Sequence, residues 1–356
     1  MWASAAGLGL TTIRLTTMKQ SCNHNPDLRG KTYLVTSQAT PIDLYLLFRL
    51  TALGAKVVFA TPDVEAAECI VKDIRREHWE KLMPEPKLEY CRVDFDNLEE
   101  VEGFAVSFMS QYKQLDCIIH NLDYISLDRL PNKQGIDSIQ AINYISPAYM
   151  TLLLEPILSL TRESRVVHLT SKPGKIGILG YFTPNYDDLF SQEVKDVNFS
   201  PKTEYMSSKY NTLAFTKGLQ MHYENKNIKT KAVSADSGIP RTMILKNVGF
   251  FKYFWRMGTP LWVISSRNYQ ELAQNLLYAS VMPYDQLKGG QYYSNCKEAN
   301  ANYGDWEKLW EKTTNFVRNL NPGNNTLIEQ LPEKLNSSLD VDLKNTHTEL
   351  TETKSL

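Results

Sequence analysis

Tyr205 and Lys209 stand four residues apart at the head of a segment whose apolar residues Leu213, Ala214, Phe215 and Leu219 recur with a helical period. Residues at i and i+4 share one helix face, so the Lys209 ammonium can lie near the Tyr205 phenol. A nearby cation favours phenolate and lowers a tyrosine pKa from about 10 toward the range of a working general acid or base. The spacing alone carries little weight, because Tyr284/Lys288 and Tyr293/Lys297 repeat it in the same chain. Two further residues give it context. Ser171 follows a strand-like run, and the carboxyl ends of strands in an open parallel sheet are where ligands bind. Asn143 opens an apolar helical stretch reaching Leu154, where a buried amide calls for a polar purpose. Each of the four also has a plain structural use, as a cap, a turn residue or a solvated charge. Their order and their topological places, taken jointly, favour proton-transfer chemistry.

The elements that must position these residues are legible as alternation. Apolar β-rich runs at 32–36, 56–60, 88–93, 115–120, 165–170 and 229–235 read as strands buried on both faces. Between the first two lies the helical run 44–50, with Gly54 placed to end it. Acid-rich helices follow at 64–81 and 98–112. Strand, helix and strand repeated this way predict right-handed crossovers and an α/β fold: a single Rossmann-type doubly wound parallel sheet flanked by helices. We place the domain at 29–320, after an N-terminal extension 1–28 and before a polar tail 321–356 expected to be disordered.

At 356 residues, 42% hydrophobic and 22% charged, the chain can bury one large core or two modest ones. A formal net charge of −1 gives no electrostatic reason for a nucleic-acid partner. Cys22, Cys69, Cys91, Cys117 and Cys296 are scattered, which argues against a zinc site or a disulfide framework and favours an intracellular, reducing compartment. His120 and His222 are isolated and lack metal-ligand spacing. The first 26 residues carry Arg14 and Lys19 and no acid, a composition that suits either a mitochondrial presequence or an unstructured extension. A cytoplasmic or membrane-associated location stays open beside the mitochondrial one.

With these residues in place the chain resembles the short-chain dehydrogenase/reductase family, specifically its retinol-dehydrogenase-like branch, from about Gly30 to Leu320. Gly290 to Glu298, followed by Trp306 and Leu309-Trp310, resembles that branch's C-terminal signature. The resemblance implies Tyr205 as acid/base, Lys209 lowering its pKa and holding a ribose, Ser171 orienting a substrate carbonyl and Asn143 anchoring a relay water. It implies an NAD or NADP cofactor contacted by Thr36, Ser37, Ile42, Asp63, Asp94, Asn121 and Lys209. Asp94 matches the family's acid near the adenine. Asp63, where the branch commonly carries an arginine, tips the preference toward NAD. A homodimer is compatible with the family.

The departures fall on one ligand. The family's glycine-rich turn aligns with Thr36 to Asp43, which puts Ser37, Pro41 and Asp43 at glycine positions. Glycine there permits unusual backbone angles and close approach to phosphate. Pro41 removes an amide donor, and an Asp43 carboxylate about 5 Å from a pyrophosphate charge would repel it by about 3 kcal/mol at an effective dielectric of about 20. The family's Asn-Asn-Ala-Gly appears as His120-Asn121-Leu122-Asp123, and its Pro-Gly after strand six as Ala235-Asp236. The aromatic run Phe250 to Trp255 and Leu261-Trp262-Val263-Ile264 suit a retinoid-, steroid- or lipid-like small hydrophobic substrate, peripheral membrane contact, or ordinary packing. Three readings follow: an NAD(P)-dependent oxidoreductase on a hydrophobic alcohol or carbonyl, a catalytically inactive pseudoenzyme that binds a lipid or protein on the same scaffold, and a scaffold that binds some other anionic ligand weakly.

Overall fold

The computed structural model describes residues 21–171, 189, 199–238 and 268–320. Six strands appear where the apolar runs predict them: β1 (Thr32–Ser37), β2 (Lys56–Thr61), β3 (Leu88–Arg92), β4 (Cys117–Asn121), β5 (Arg165–Thr170) and β6 (Lys231–Asp236). Helix α1 (Pro41–Ala52) joins β1 to β2, and Gly54, at φ +96°, turns the chain just beyond its end. Helices α2 (Val64–Glu80) and α3 (Leu98–Gln111) supply the next crossovers.

A short helix α4 (Ser138–Gln140) runs through a π-helical turn (Ala141–Ile145) into α5 (Ser146–Leu153), and α6 (Glu155–Leu160) follows. The single apolar helix expected from Asn143 to Leu154 is therefore interrupted, with Asn143 inside the widened π turn. Helix α7 (Pro201–Asn225) precedes β6, and α8 (Tyr269–Val281) follows it. The C-terminal part adds β7 (Tyr292–Tyr293), β8 (Glu298–Ala299) and α9 (Trp306–Leu320).

The sheet runs β3-β2-β1-β4-β5-β6-β7-β8, parallel from β3 to β7 and antiparallel only at β7–β8. The doubly wound parallel sheet read from sequence is present, with one antiparallel strand added at its β8 edge. Side chains alternate across the pleat, so each strand feeds two cores. Leu34 packs with Phe108, Tyr144 and Phe215 under α3, α5 and α7, while Val35 packs with Leu46, Ile74 and Leu276 under α1, α2 and α8. That two-sided demand explains the unbroken apolar runs. The edge strand β3 departs from it: Glu89, Tyr90 and Arg92 are exposed, as befits an edge that must not recruit another strand.

The N-terminal boundary also moves. Cys22 is buried and its amide N–H donates to Gln274 Oε1 at 2.7 Å, while Leu28 joins the α1/α8 core. Residues 21–28 therefore pack on the body rather than extending from it. The partner lies 252 residues away, beyond the reach of any local pattern. Residues 1–20 of the expected presequence and the polar tail fall outside the described residues, as do the two aromatic stretches. Among the described residues no helix is long and apolar enough to cross a membrane, no cluster of metal-ligating side chains occurs, and all five cysteines are free.

His120 proves not to be isolated. Strand register sets it beside His168, and the two rings stack at 5.0 Å. Thr36 Oγ1 and Thr151 Oγ1 each lie 2.9 Å from one His120 ring nitrogen, and Thr216 Oγ1 lies 3.1 Å from His168 Nδ1. His222, likewise, meets the Glu155 carboxylate at 2.8 Å.

Burial holds both stacked rings neutral: the His168 pKa is depressed to about 3, and that of His120 falls well below the usual range, with His168 adding to the effect. The unfolded chain takes up protons at these histidines near pH 6.5 and the folded chain does not. The stability this contributes is complete above about pH 6.5 and declines as pH falls toward the folded values, at up to about 1.4 kcal/mol per pH unit for each ring. Urea denaturation between pH 7.5 and 5 should follow that slope, and His168→Phe should flatten it.

Candidate active site

Helix α7 presents Tyr205 and Lys209 on one face at the carboxyl ends of β4 and β5, as their spacing predicts. What lies between them was not foreseen. Asp123, two residues beyond β4, accepts from the Tyr205 hydroxyl at 2.7 Å and takes the Lys209 ammonium at 3.0 Å on the same carboxylate oxygen. The ammonium also donates to the Leu122 carbonyl at 2.6 Å and sits 5.6 Å from the Tyr205 ring centroid. Lys209 is fully buried, and its desolvation lowers its pKa while the Asp123 charge works the other way.

The expected acidification of Tyr205 is overturned. Its ring is half-buried, its hydroxyl is enclosed, and burial drives the phenol well above the ordinary tyrosine value. The Asp123 charge and hydrogen bond push it in the same direction, and only a hydrogen bond with Ser171 opposes them. The cation that would favour phenolate reaches the phenol through an intervening anion. Burial sets the upward direction of the shift, and the Asp123 carboxylate adds to it.

Asn143 Oδ1 accepts from the Tyr124 amide at 2.7 Å, and its Nδ2 donates to the Tyr124 carbonyl at 2.8 Å and to Ser208 Oγ at 3.1 Å. Its side chain thus pins the segment after β4 to α7, one turn from Tyr205. Ser171, directly after β5, is half-buried and touches the phenol. The structure brings Ser171, Tyr205 and Lys209 together, with Asn143 behind them as a brace.

The residues assigned to a dinucleotide are placed differently. Ser37 is fully buried and its hydroxyl donates to Asp43 Oδ2 at 2.7 Å. The same oxygen accepts from the Thr40 amide at 2.7 Å and the Thr40 hydroxyl at 3.0 Å, and Asp43 Oδ1 accepts from Asn121 Nδ2 at 2.8 Å. Asp43 itself has no exposed surface. Thr36 spends its hydroxyl on His120, on the other face of the sheet, and Ile42 packs against the α1/α8 core. Asp63 caps α2 by accepting from the Ala66 amide at 2.9 Å, and Asp94 accepts from the Asp96 amide at 3.0 Å. Ala39 adopts the left-handed conformation, at φ +53°, in a turn where glycine would take it without strain.

Whether these residues fit a dinucleotide can therefore be judged from the turn. An anion cradle needs free donors at a helix N-terminus. Here Ser37, Thr40 and Asn121 all donate to a protein carboxylate, and Pro41 has no N–H to offer. The turn does not fit a diphosphate. Asp236, ending β6, continues the theme: Tyr292 and Ser294 both donate to its Oδ2. Asp43, Asp123 and Asp236 were each visible as aspartates in glycine-bearing motifs. Their partners, between 3 and 86 residues away by the pairings Thr40–Asp43 and Asp123–Lys209, were not.

Comparison with known proteins places this geometry. Residues 31–183 match the family described as short chain dehydrogenase. Retinol dehydrogenase 12 of Homo sapiens is 24% identical over 294 residues, covering 81% of this chain and 87% of that protein. Retinol dehydrogenase 13 of Mus musculus is 25% identical over 282 residues, covering 78% and 79%. A solved structure from Mycobacterium paratuberculosis superposes with a TM-score of 0.64 at 19% identity, over 85% of this chain and 98% of that one. A short-chain dehydrogenase/reductase from Serratia marcescens does so at 0.55 and 16%, over 75% and 97%.

The matched family implies a nicotinamide dinucleotide cofactor and chemistry on alcohols and carbonyls, against which the filled turn stands out as this chain's own departure. Residues 31–183 of this chain thus match the short chain dehydrogenase family, and most of its length is similar to retinol dehydrogenases at 24% and 25% identity.

Proposed function

We propose that this chain uses the short-chain dehydrogenase/reductase fold as a binding scaffold for a hydrophobic lipid-like ligand or a protein partner, without nicotinamide-dependent turnover at this site. One observation carries the reading: the Asp123 carboxylate takes both the Tyr205 phenol and the Lys209 ammonium. A general acid/base must sit near the working pH and face its substrate. Tyr205 instead donates to a carboxylate that raises its pKa, and the lysine's charge is used to hold that carboxylate in place.

The opposing reading is a working oxidoreductase on a hydrophobic alcohol or carbonyl, with NAD or NADP. The meeting of Ser171, Tyr205 and Lys209 at the carboxyl end of the sheet favours it. A direct assay separates the two. Purified wild-type protein, offered retinoid, steroid and long-chain alcohols and aldehydes with all four nicotinamide cofactor forms, should show no rate above that of Tyr205→Phe. A rate in the wild type that Tyr205→Phe abolishes would defeat the scaffold reading.

The clamp also makes a stability prediction. Asp123→Ala leaves a buried ammonium without its counter-ion, which costs about 3–5 kcal/mol. Adding Lys209→Met should recover most of that loss, because the stranded charge is gone. Chemical denaturation of the two single variants and the double variant measures the coupling. Additive losses would mean that Asp123 does not compensate Lys209.

A further inference from the structure

The first turn of α1 is built as an anion hole and is already full. Four donor groups converge on one carboxylate: Ser37 Oγ, the Thr40 amide, Thr40 Oγ1 and Asn121 Nδ2. They come from three separated pieces of chain, namely the end of β1, the cap of α1 and the end of β4. Ser37 and Asn121 are brought abreast by the β1–β4 register. Asp43 is the third residue of α1, so the positive end of the helix dipole favours its charge. Its own amide closes on the Thr40 carbonyl at 2.9 Å. Burial pushes the Asp43 carboxyl pKa up, and the four donors work against that rise.

The resemblance described above puts a glycine at position 43, with a diphosphate over the turn. A carboxylate attached to the helix competes with a free diphosphate at the advantage of any tethered group, since it loses no translational freedom on binding. An incoming diphosphate would have to displace it or lie against its charge. Displacement would strip a carboxylate that has no exposed surface of its four donors. Neither route is favourable.

We infer that Asp43 is an intramolecular occupant of the turn that the family uses for its dinucleotide, and that this one side chain excludes NAD(H) and NADP(H) from the protein. The inference goes beyond the scaffold reading and is carried by different atoms. Asp123 governs whether Tyr205 can move a proton, and Asp43 governs whether a dinucleotide can enter.

Calorimetric titration of the full chain with NADH, and separately with inorganic pyrophosphate, tests it in the wild type and in Asp43→Gly and Asp43→Asn. The wild type should show no saturable binding of either probe into the millimolar range. Asp43→Gly should gain affinity for both by on the order of a hundredfold, the repulsion expected between charges about 5 Å apart at an effective dielectric of about 20. Asp43→Asn keeps the side-chain volume and removes the charge, so it should gain less than Asp43→Gly. Saturable submillimolar binding by the wild type would overturn the inference. So would Asp43→Gly that folds yet gains nothing. Should that variant not fold, the wild-type titration together with Asp43→Asn decides by the same criteria. Asp43→Gly that binds NADH without turning over substrate would leave both proposals standing, because Asp123 still holds Tyr205. Tyr205-dependent turnover in the wild type would sink both, whereas NADH binding by the wild type without turnover would sink this inference alone.

Discussion

A buried ammonium is expensive unless an anion meets it, and in this protein the anion is Asp123. Lys209 is fully enclosed on α7, where no water can solvate its charge. The Asp123 carboxylate at 3.0 Å and the Leu122 carbonyl at 2.6 Å make that burial tolerable. The same carboxylate oxygen then takes the Tyr205 hydroxyl, so the requirement of the lysine fixes the state of the tyrosine. Much of the upper edge of the sheet follows from this contact. It draws the segment after β4 down onto α7, and Asn143 secures it there through both backbone groups of Tyr124.

The other two carboxylates at that edge obey the same rule. Asp43 and Asp236 are buried, and each takes its donors from groups that the fold already holds nearby. In an open parallel sheet the carboxyl ends of the strands form the crevice where a ligand's polar groups are usually met. Here protein side chains meet one another instead. A network closed in this way rigidifies its surroundings and leaves few donors for an outside anion. Apolar packing beneath it, in two layers separated by the sheet, keeps the three loops in register. The neutral His120–His168 stack fills the polar gap between β4 and β5 on one face.

Local pattern made most of the frame legible. The six predicted strands, the helices at 41–52, 64–80 and 98–111, and the helix carrying Tyr205 and Lys209 all stand where periodicity put them, within a few residues. The misses share a cause. The π turn around Asn143 depends on how α4 and α5 pack, the charged edge of β3 on where it falls in the sheet, and the docking of Cys22 on Gln274. Two-residue strands such as β7 leave no periodicity to read.

At the site, residue identity and spacing were enough to single out Tyr205, Lys209, Ser171 and Asn143, and to mark the aspartates at glycine positions as departures. Those facts are written along the chain, because an i, i+4 pair and a strand-ending hydroxyl are local geometry. The sign of the Tyr205 shift and the occupancy of the α1 turn belonged to the tertiary structure alone. The first depends on how deeply the phenol is buried and on the carboxylate beside it. The second depends on which groups come within about 3 Å of Asp43, where a hydrogen bond or an opposite charge outweighs any tendency of the local sequence. Strand register and helix packing set those distances.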